Sequence, residues 1–152
     1  MWEQPLSVWD EMFMGVRAHY IASALGAPLL IANGNGLIVN ISFVAGREYV
    51  TNTAYGVSKA ATDRLAADLA HELRPHNVAA VSLYPGLVRT EGVMKHAEYF
   101  DLSNSQSPHF IGRGIAALAA DPQIMRKSGQ IVEAAQLGFG YDFTDIDGKR
   151  PT

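Results

Sequence analysis

The chain contains no cysteine. That excludes disulfides and thiolate metal sites, and it fits an intracellular, cytoplasmic setting. No apolar run reaches the ~20 residues of a membrane span. The opening MWEQPLSVWDEMF has no basic patch ahead of an apolar stretch, so no secretory leader is expected. Charge is sparse, with 12 Lys and Arg against 15 Asp and Glu and a net of −3, which gives no reason to expect a nucleic acid partner. There is no internal repeat and no low-complexity segment. The five histidines (His19, His71, His76, His96, His109) have no ligand spacing, so no metal site is expected. Asp145-Ile146-Asp147-Gly148 opens like a calcium loop but lacks the later Glu, and is read as a turn. The GxG within Asn33-Gly34-Asn35-Gly36 precedes a strand pattern, whereas a dinucleotide fingerprint follows one. It too is read as a turn.

What remains is 152 residues, 48% hydrophobic, enough for one domain with its own core. After a short lead-in, Ser7 or Asp10 is expected to cap a helix running to about Ala32. Its apolar residues recur at helical spacing, and Pro28 should kink it or trim its last turn. Leu37–Ser42 and Val78–Leu83 are near-continuous apolar runs, the pattern of buried parallel strands. Phe43–Thr53 is expected to be a loop. The Ala- and Leu-rich segment from about Thr53 to Arg74 between the strands is a helix, so the three elements form a right-handed βαβ unit. On that helix Asp63, Arg64, Asp68, Glu72 and Arg74 are expected to form the solvated side, and its alanines to permit close helix contact. Leu87–Gln106 has no clear period. Ser107 and Pro108 begin a helix to Ala120, Gln130–Glu133 begins a third short strand, and Gly138–Thr152 is read as an irregular tail.

One constellation carries chemistry. Ser42 lies at the carboxyl end of the first strand, where open α/β sheets place ligands. Tyr55 and Lys59 are four residues apart, so they share one helix face. A phenol titrates near 10, too high for a base at neutral pH, and a nearby ammonium is expected to lower that value. Such a Tyr can exchange a proton with a substrate oxygen.

Ser42, the segment Tyr55-Gly56-Val57-Ser58-Lys59, and Tyr84-Pro85-Gly86-Leu87-Val88-Arg89-Thr90 together resemble the short-chain dehydrogenase/reductase superfamily. GRGIAALAADP and YDFTDIDGKRP further resemble its dehydrogenase/reductase member-1-like branch. The resemblance implies a partial Rossmann fold, α/β and doubly wound. About three parallel strands and their helices remain, as a single carboxyl-terminal part covering residues 1–152. It implies interconversion of an alcohol and a ketone or aldehyde, with catalytic residues Ser42, Tyr55 and Lys59. It implies NAD or NADP, with NADP slightly preferred, held by Tyr55, Lys59, Pro85, Gly86, Val88 and Thr90. It also implies a homo-oligomer through the helices 7–32 and 53–74.

Two features depart from that pattern. The family's glycine-rich turn for the cofactor pyrophosphate is absent, which leaves Leu37–Ser42 as an apolar edge open to pairing. Gly15 stands where the family often carries an Asn, thought to hold a proton-relay water. The rival expectation is therefore a non-catalytic remnant acting as an oligomerisation or partner-binding module.

Overall fold

The computed structural model describes residues 1–152. Its centre is a three-stranded parallel sheet in the order β1 (Gly36–Ile41), β2 (Val78–Tyr84), β3 (Ile131–Glu133). Gly36 pairs with Val78 and Ile41 with Leu83, while Ser82 pairs with Ile131 and Tyr84 with Glu133. β2 is flanked on both sides and every residue in it is buried. β1 is an edge, and of its residues only Asn40 is fully buried.

Alternation along β2 sends its side chains to two different layers. Val81 and Leu83 join Phe110 and Leu118 of α4 (Pro108–Ala120) and Ala134 and Leu137 of α5 (Ala134–Gly140) in the apolar core. Ser82 and Tyr84 face α2 (Thr53–Leu73) on the other side. There the contact is mostly small and polar: Ala54, Ser58, Thr62, Ala66, Ala70 and Leu73 are the buried residues of α2. α1 (Ser7–Asn33) packs against α2 and also touches β1, and Ser23 is its one buried residue. Large apolar side chains of α1, among them Met14, Tyr20, Leu25 and Leu29, are exposed. No helix is long and apolar enough to cross a membrane.

The strands, α2 and α4 follow the sequence pattern, including the Ser107 cap, whose hydroxyl oxygen accepts from the Phe110 N–H. Four readings need correction. Neither Ser7 nor Asp10 caps α1: Leu6 occupies that position, with no side-chain bond. α1 is also not trimmed of its last turn by Pro28 and continues to Asn33, because a proline removes one donor and the following turn keeps its own bonds. It stops at Gly34, whose φ of 75° lets its N–H reach the Ile31 carbonyl at 3.0 Å. Gly138–Gly140, the first three residues of the segment read as an irregular tail, instead close α5, where burial of Leu137 and close approach of Gly138 to the Phe110 ring override two poor helix formers. Finally, Asp63 is not on the solvated side: it accepts hydrogen bonds from the Ser82 and Tyr84 hydroxyls, each at 2.5 Å.

Candidate active site

The chain leaves β1 at Ser42, whose N–H still bonds the Leu83 carbonyl at 2.9 Å, and turns through Val44–Gly46 toward α2. Thr51 just before the helix has φ 59°, a strained value for a β-branched residue. Asn52 then caps α2 by accepting the Tyr55 N–H at 2.9 Å. The cap fixes the first turn, and with it the direction of Tyr55 and, one turn on, Lys59.

Ser42, Tyr55 and Lys59 come together on the wall of a cavity of about 800 Å³. The Lys59 ammonium lies 5.6 Å from the Tyr55 ring centroid. The Ser42 hydroxyl, nearly inaccessible to solvent, donates to the Lys59 backbone carbonyl at 3.1 Å. The segment after β2 brings Pro85, Gly86, Val88 and Thr90 to the same wall, so every sequence-predicted site residue lines this one cavity. Thr90 is also a cap, its hydroxyl oxygen accepting the Val93 N–H of α3 (Glu91–Met94), which leaves its own O–H free to donate.

The electrostatics differ from the sequence expectation. Burial raises the Tyr55 phenol above its ordinary value, and no lowering by Lys59 offsets it. Burial lowers the Lys59 ammonium, and the Asp63 charge partly restores it. Both groups share a half-dry wall, so desolvation outweighs their mutual effect. Tyr55 is therefore a protonated phenol at neutral pH, suited to giving a proton.

Two supporting residues had no sequence signal. Gln106, almost fully buried, accepts the Gly86 N–H at 2.9 Å through its side chain. Its backbone N–H donates to Leu87 and its carbonyl accepts from Arg89, both at 2.8 Å. Asp145 accepts from the Ser107 N–H at 2.7 Å and pairs with Arg89 at 3.2 Å. The cavity loop is thus pinned from beneath by residues far along the chain. Asn52 had a signal, an Asn three residues before Tyr55 at a helix start.

A family model described as short chain dehydrogenase matches residues 3–99. The chain belongs to the short-chain dehydrogenase family. It is 43% identical over 162 aligned residues to the mouse (Mus musculus) protein named dehydrogenase/reductase SDR family member 1, covering 97% of this chain and 52% of that one. Among solved structures it is similar to acetoin dehydrogenase from Enterobacter cloacae, with TM-score 0.71, 27% identity, and 88% of this chain against 57% of that one. It is also similar to a 7α-hydroxysteroid dehydrogenase complexed with NADH and 7-oxo glycochenodeoxycholic acid, with TM-score 0.70, 25% identity, and 86% against 55%. These short-chain dehydrogenase relatives are oxidoreductases by name, and the structural neighbours include members bound to nicotinamide cofactors. The chain spans about half the length of the curated relatives it matches. Three parallel strands with flanking helices are accordingly a partial form of the family's Rossmann-type fold.

Proposed function

We propose that the chain is the carboxyl-terminal part of an NAD(P)-dependent oxidoreductase domain that interconverts an alcohol and a ketone or aldehyde. The observation that carries this is the convergence of Tyr55, Lys59 and Ser42 on one cavity with the Pro85–Thr90 loop. The residues present fit the nicotinamide-ribose end of the cofactor: Lys59 offers an ammonium to ribose hydroxyls, and Pro85, Gly86, Val88 and Thr90 a wall for the ring. None fits the pyrophosphate, since no strand here is followed by a glycine-rich turn opening a helix. Bound there, the nicotinamide supplies or accepts the hydride. Tyr55 then gives its phenolic proton to the carbonyl oxygen. Ser42 has one donor, now spent on the Lys59 carbonyl, so it must swing away to polarise the substrate.

Fluorescence titration of the 152-residue chain with NADPH and NADH tests this reading. With only one end of the cofactor held, saturable binding near 1 mM is expected, roughly 4 kcal/mol. Lys59→Ala removes hydrogen bonds to a charged group and is expected to weaken it about tenfold. A folded chain that never saturates would overturn the reading.

A second reading rests on α1. A groove of about 660 Å³ between α1 and α2 is lined by Phe13, Met14, Tyr20 and Leu65, with Arg17 and Arg64 beside Asp10 and Asp68. Mixed charge around an apolar floor suits a second copy of the same helix pair, as a homo-oligomer or partner-binding module requires. In sedimentation equilibrium the chain is expected to associate, and Met14→Glu with Leu65→Glu to shift it to monomer. A wild-type monomer at all concentrations would remove this reading.

A further inference from the structure

Beside the catalytic cavity lies another of about 290 Å³. Phe43, Pro85, Gly86 and Leu87 line both, so they form the partition between them. The second cavity sits at the carboxyl ends of β2 and β3, where Tyr84, Glu133 and the first turn of α5 meet Gln106.

Its polar groups can be sorted. The Tyr84 hydroxyl is spent on Asp63, and Asn104 holds both the N–H and the carbonyl of Thr152. Gln106 is different. It is 2% exposed, and its side-chain oxygen is engaged by the Gly86 N–H at 2.9 Å. That bond fixes the amide, because a flipped side chain would set two donors against each other. The amide nitrogen, with two N–H donors, meets no acceptor in the chain, yet it is not sealed in: the sealed atoms without partners are Asn40 Nδ2 and Arg150 Nε. The partition is thin at this point, since a Cβ on Gly86 would stand 3.0 Å from that nitrogen.

A buried donor without an acceptor is costly, so the acceptor comes from outside the chain. The cavity has many times the volume of one water, and Phe43, Val44, Leu87 and Ala135 make much of its wall apolar. It suits an apolar tail ending in an oxygen. The Glu133 carboxylate, whose charge reaches Tyr84, disfavours an anion there. Arg47 lies over the Tyr84 ring but outside the cavity wall.

We propose that the substrate carries, besides the carbonyl that reacts at Tyr55, a second and uncharged acceptor oxygen, which reaches past the Phe43–Leu87 partition and docks on the Gln106 amide. This deepens the oxidoreductase reading above and rests on it. The substrate class is then a ketone or aldehyde, or its alcohol, with an ester, an amide or a second carbonyl on an apolar tail. A carboxylate in that place is repelled by Glu133, and a plain alkyl end leaves the amide unpaired.

Two measurements on the 152-residue chain test this. In the first, keto methyl esters of increasing chain length are titrated while NMR follows the side-chain amide signals, with Gln106→Glu assigning those of Gln106. The best-fitting ester is expected to shift the Gln106 pair, and the ketone with a propyl group in place of the ester to leave it unmoved. Ala135→Leu, which narrows the cavity from α5, is expected to abolish the shift. In the second, NADPH-dependent reduction of the ester and the propyl ketone is compared as a ratio of kcat/KM. One hydrogen bond to an otherwise unpaired amide predicts a ratio of roughly ten. Gln106→Glu keeps an oxygen for the Gly86 N–H but carries no N–H, so at alkaline pH the ratio is expected to fall to about one or below. A Gln106 signal that no ester moves overturns the proposal, as does a ratio near one in wild type or a ratio unchanged in both variants. So does a signal moved by NADPH alone and not by the ester, which would give the amide to the cofactor. A chain that reduces no ketone overturns the oxidoreductase reading instead, and the NMR titration then decides the Gln106 site by itself.

Discussion

Asp145→Ala is expected to destabilise the chain by about 3 kcal/mol, because it strips partners from buried groups and leaves them dry. Asp145 is nearly inaccessible. It accepts the Ser107 N–H at 2.7 Å, the Ser107 hydroxyl, and the Ile146 N–H at 2.7 Å, and it pairs with Arg89. Without the carboxylate, Ser107 keeps its role as the cap of α4 but loses the group that fixes it. Arg89, still bonded to Ser105, loses its counter-charge. Since Arg89 is partly open to water, the ion pair itself contributes less than the hydrogen bonds. Chemical denaturation should show the loss, equivalent to a fall in Tm of about 6–12 °C for a chain of this size. A change under about 1 kcal/mol would mean the network is dispensable.

The same residue predicts an acid limb. Burial tends to raise the Asp145 pKa, but hydrogen bonds from the Ser107 side chain, the Ser107 N–H and the Ile146 N–H, together with the Arg89 charge, outweigh it and hold the pKa below the ordinary value. A depressed folded-state pKa contributes stability that is complete above the unfolded value near 3.9 and is lost as pH falls through the folded one. Asp145→Asn should flatten stability against pH in that window and leave neutral pH less stable than wild type.

Local pattern was legible in the sequence and long-range pairing was not. β1, β2, α2 and α4 announce themselves through apolar runs, helical spacing and the Ser107-Pro108 start, all decided within a few residues. Ser42, Tyr55 and Lys59 were readable together because a strand end and one helix turn place them, whereas Pro85, Gly86, Val88 and Thr90 entered only through the family resemblance of their segment. Asp145 was read only as part of a turn. It is one, since the Gly148 N–H bonds the Asp145 carbonyl at 3.0 Å, but the side chain reaches Ser107, 38 residues away. Nothing local marks that reach. Gln106 was hidden in a segment without period for the same cause. The direction of the Tyr55 shift was missed because it depends on how dry the wall is, a property of packing and not of spacing. The α5 helix had no clear local signal, since it is only seven residues long and carries two glycines, and its formation goes with burial of Leu137 and the packing of Gly138 on Phe110.

Asp63→Ala is the other substitution with a large expected effect, and here stability and chemistry separate. Asp63 was assigned to the solvated side of α2 from its charged neighbours. It accepts instead from Ser82 and Tyr84, both on the α2-facing side of β2. Alanine leaves two buried hydroxyls without an acceptor, at about 1–3 kcal/mol each, so a total loss of about 2–5 kcal/mol is expected in denaturation. Asparagine keeps an acceptor, and the hydroxyls can rotate to accept from its amide, so Asp63→Asn should recover most of that stability. It does not recover the charge. The carboxylate raises the Lys59 pKa against burial, and it raises Tyr84 beyond the ordinary phenol value, where burial is the larger cause. Both variants should therefore move the Lys59 ammonium further down and the Tyr84 phenol back toward its usual range, which NMR of the lysine side chains and ultraviolet titration of the tyrosines can read. A lower Lys59 pKa weakens the positive charge beside Tyr55, so cofactor affinity in Asp63→Asn should fall most at alkaline pH and least at acidic pH. An Asp63→Asn chain as stable as wild type, with unmoved Lys59 and Tyr84, would mean that the carboxylate acts only as a hydrogen-bond acceptor. Loss of both together would mean that it fastens α2 to the sheet and sets the charge of the catalytic wall.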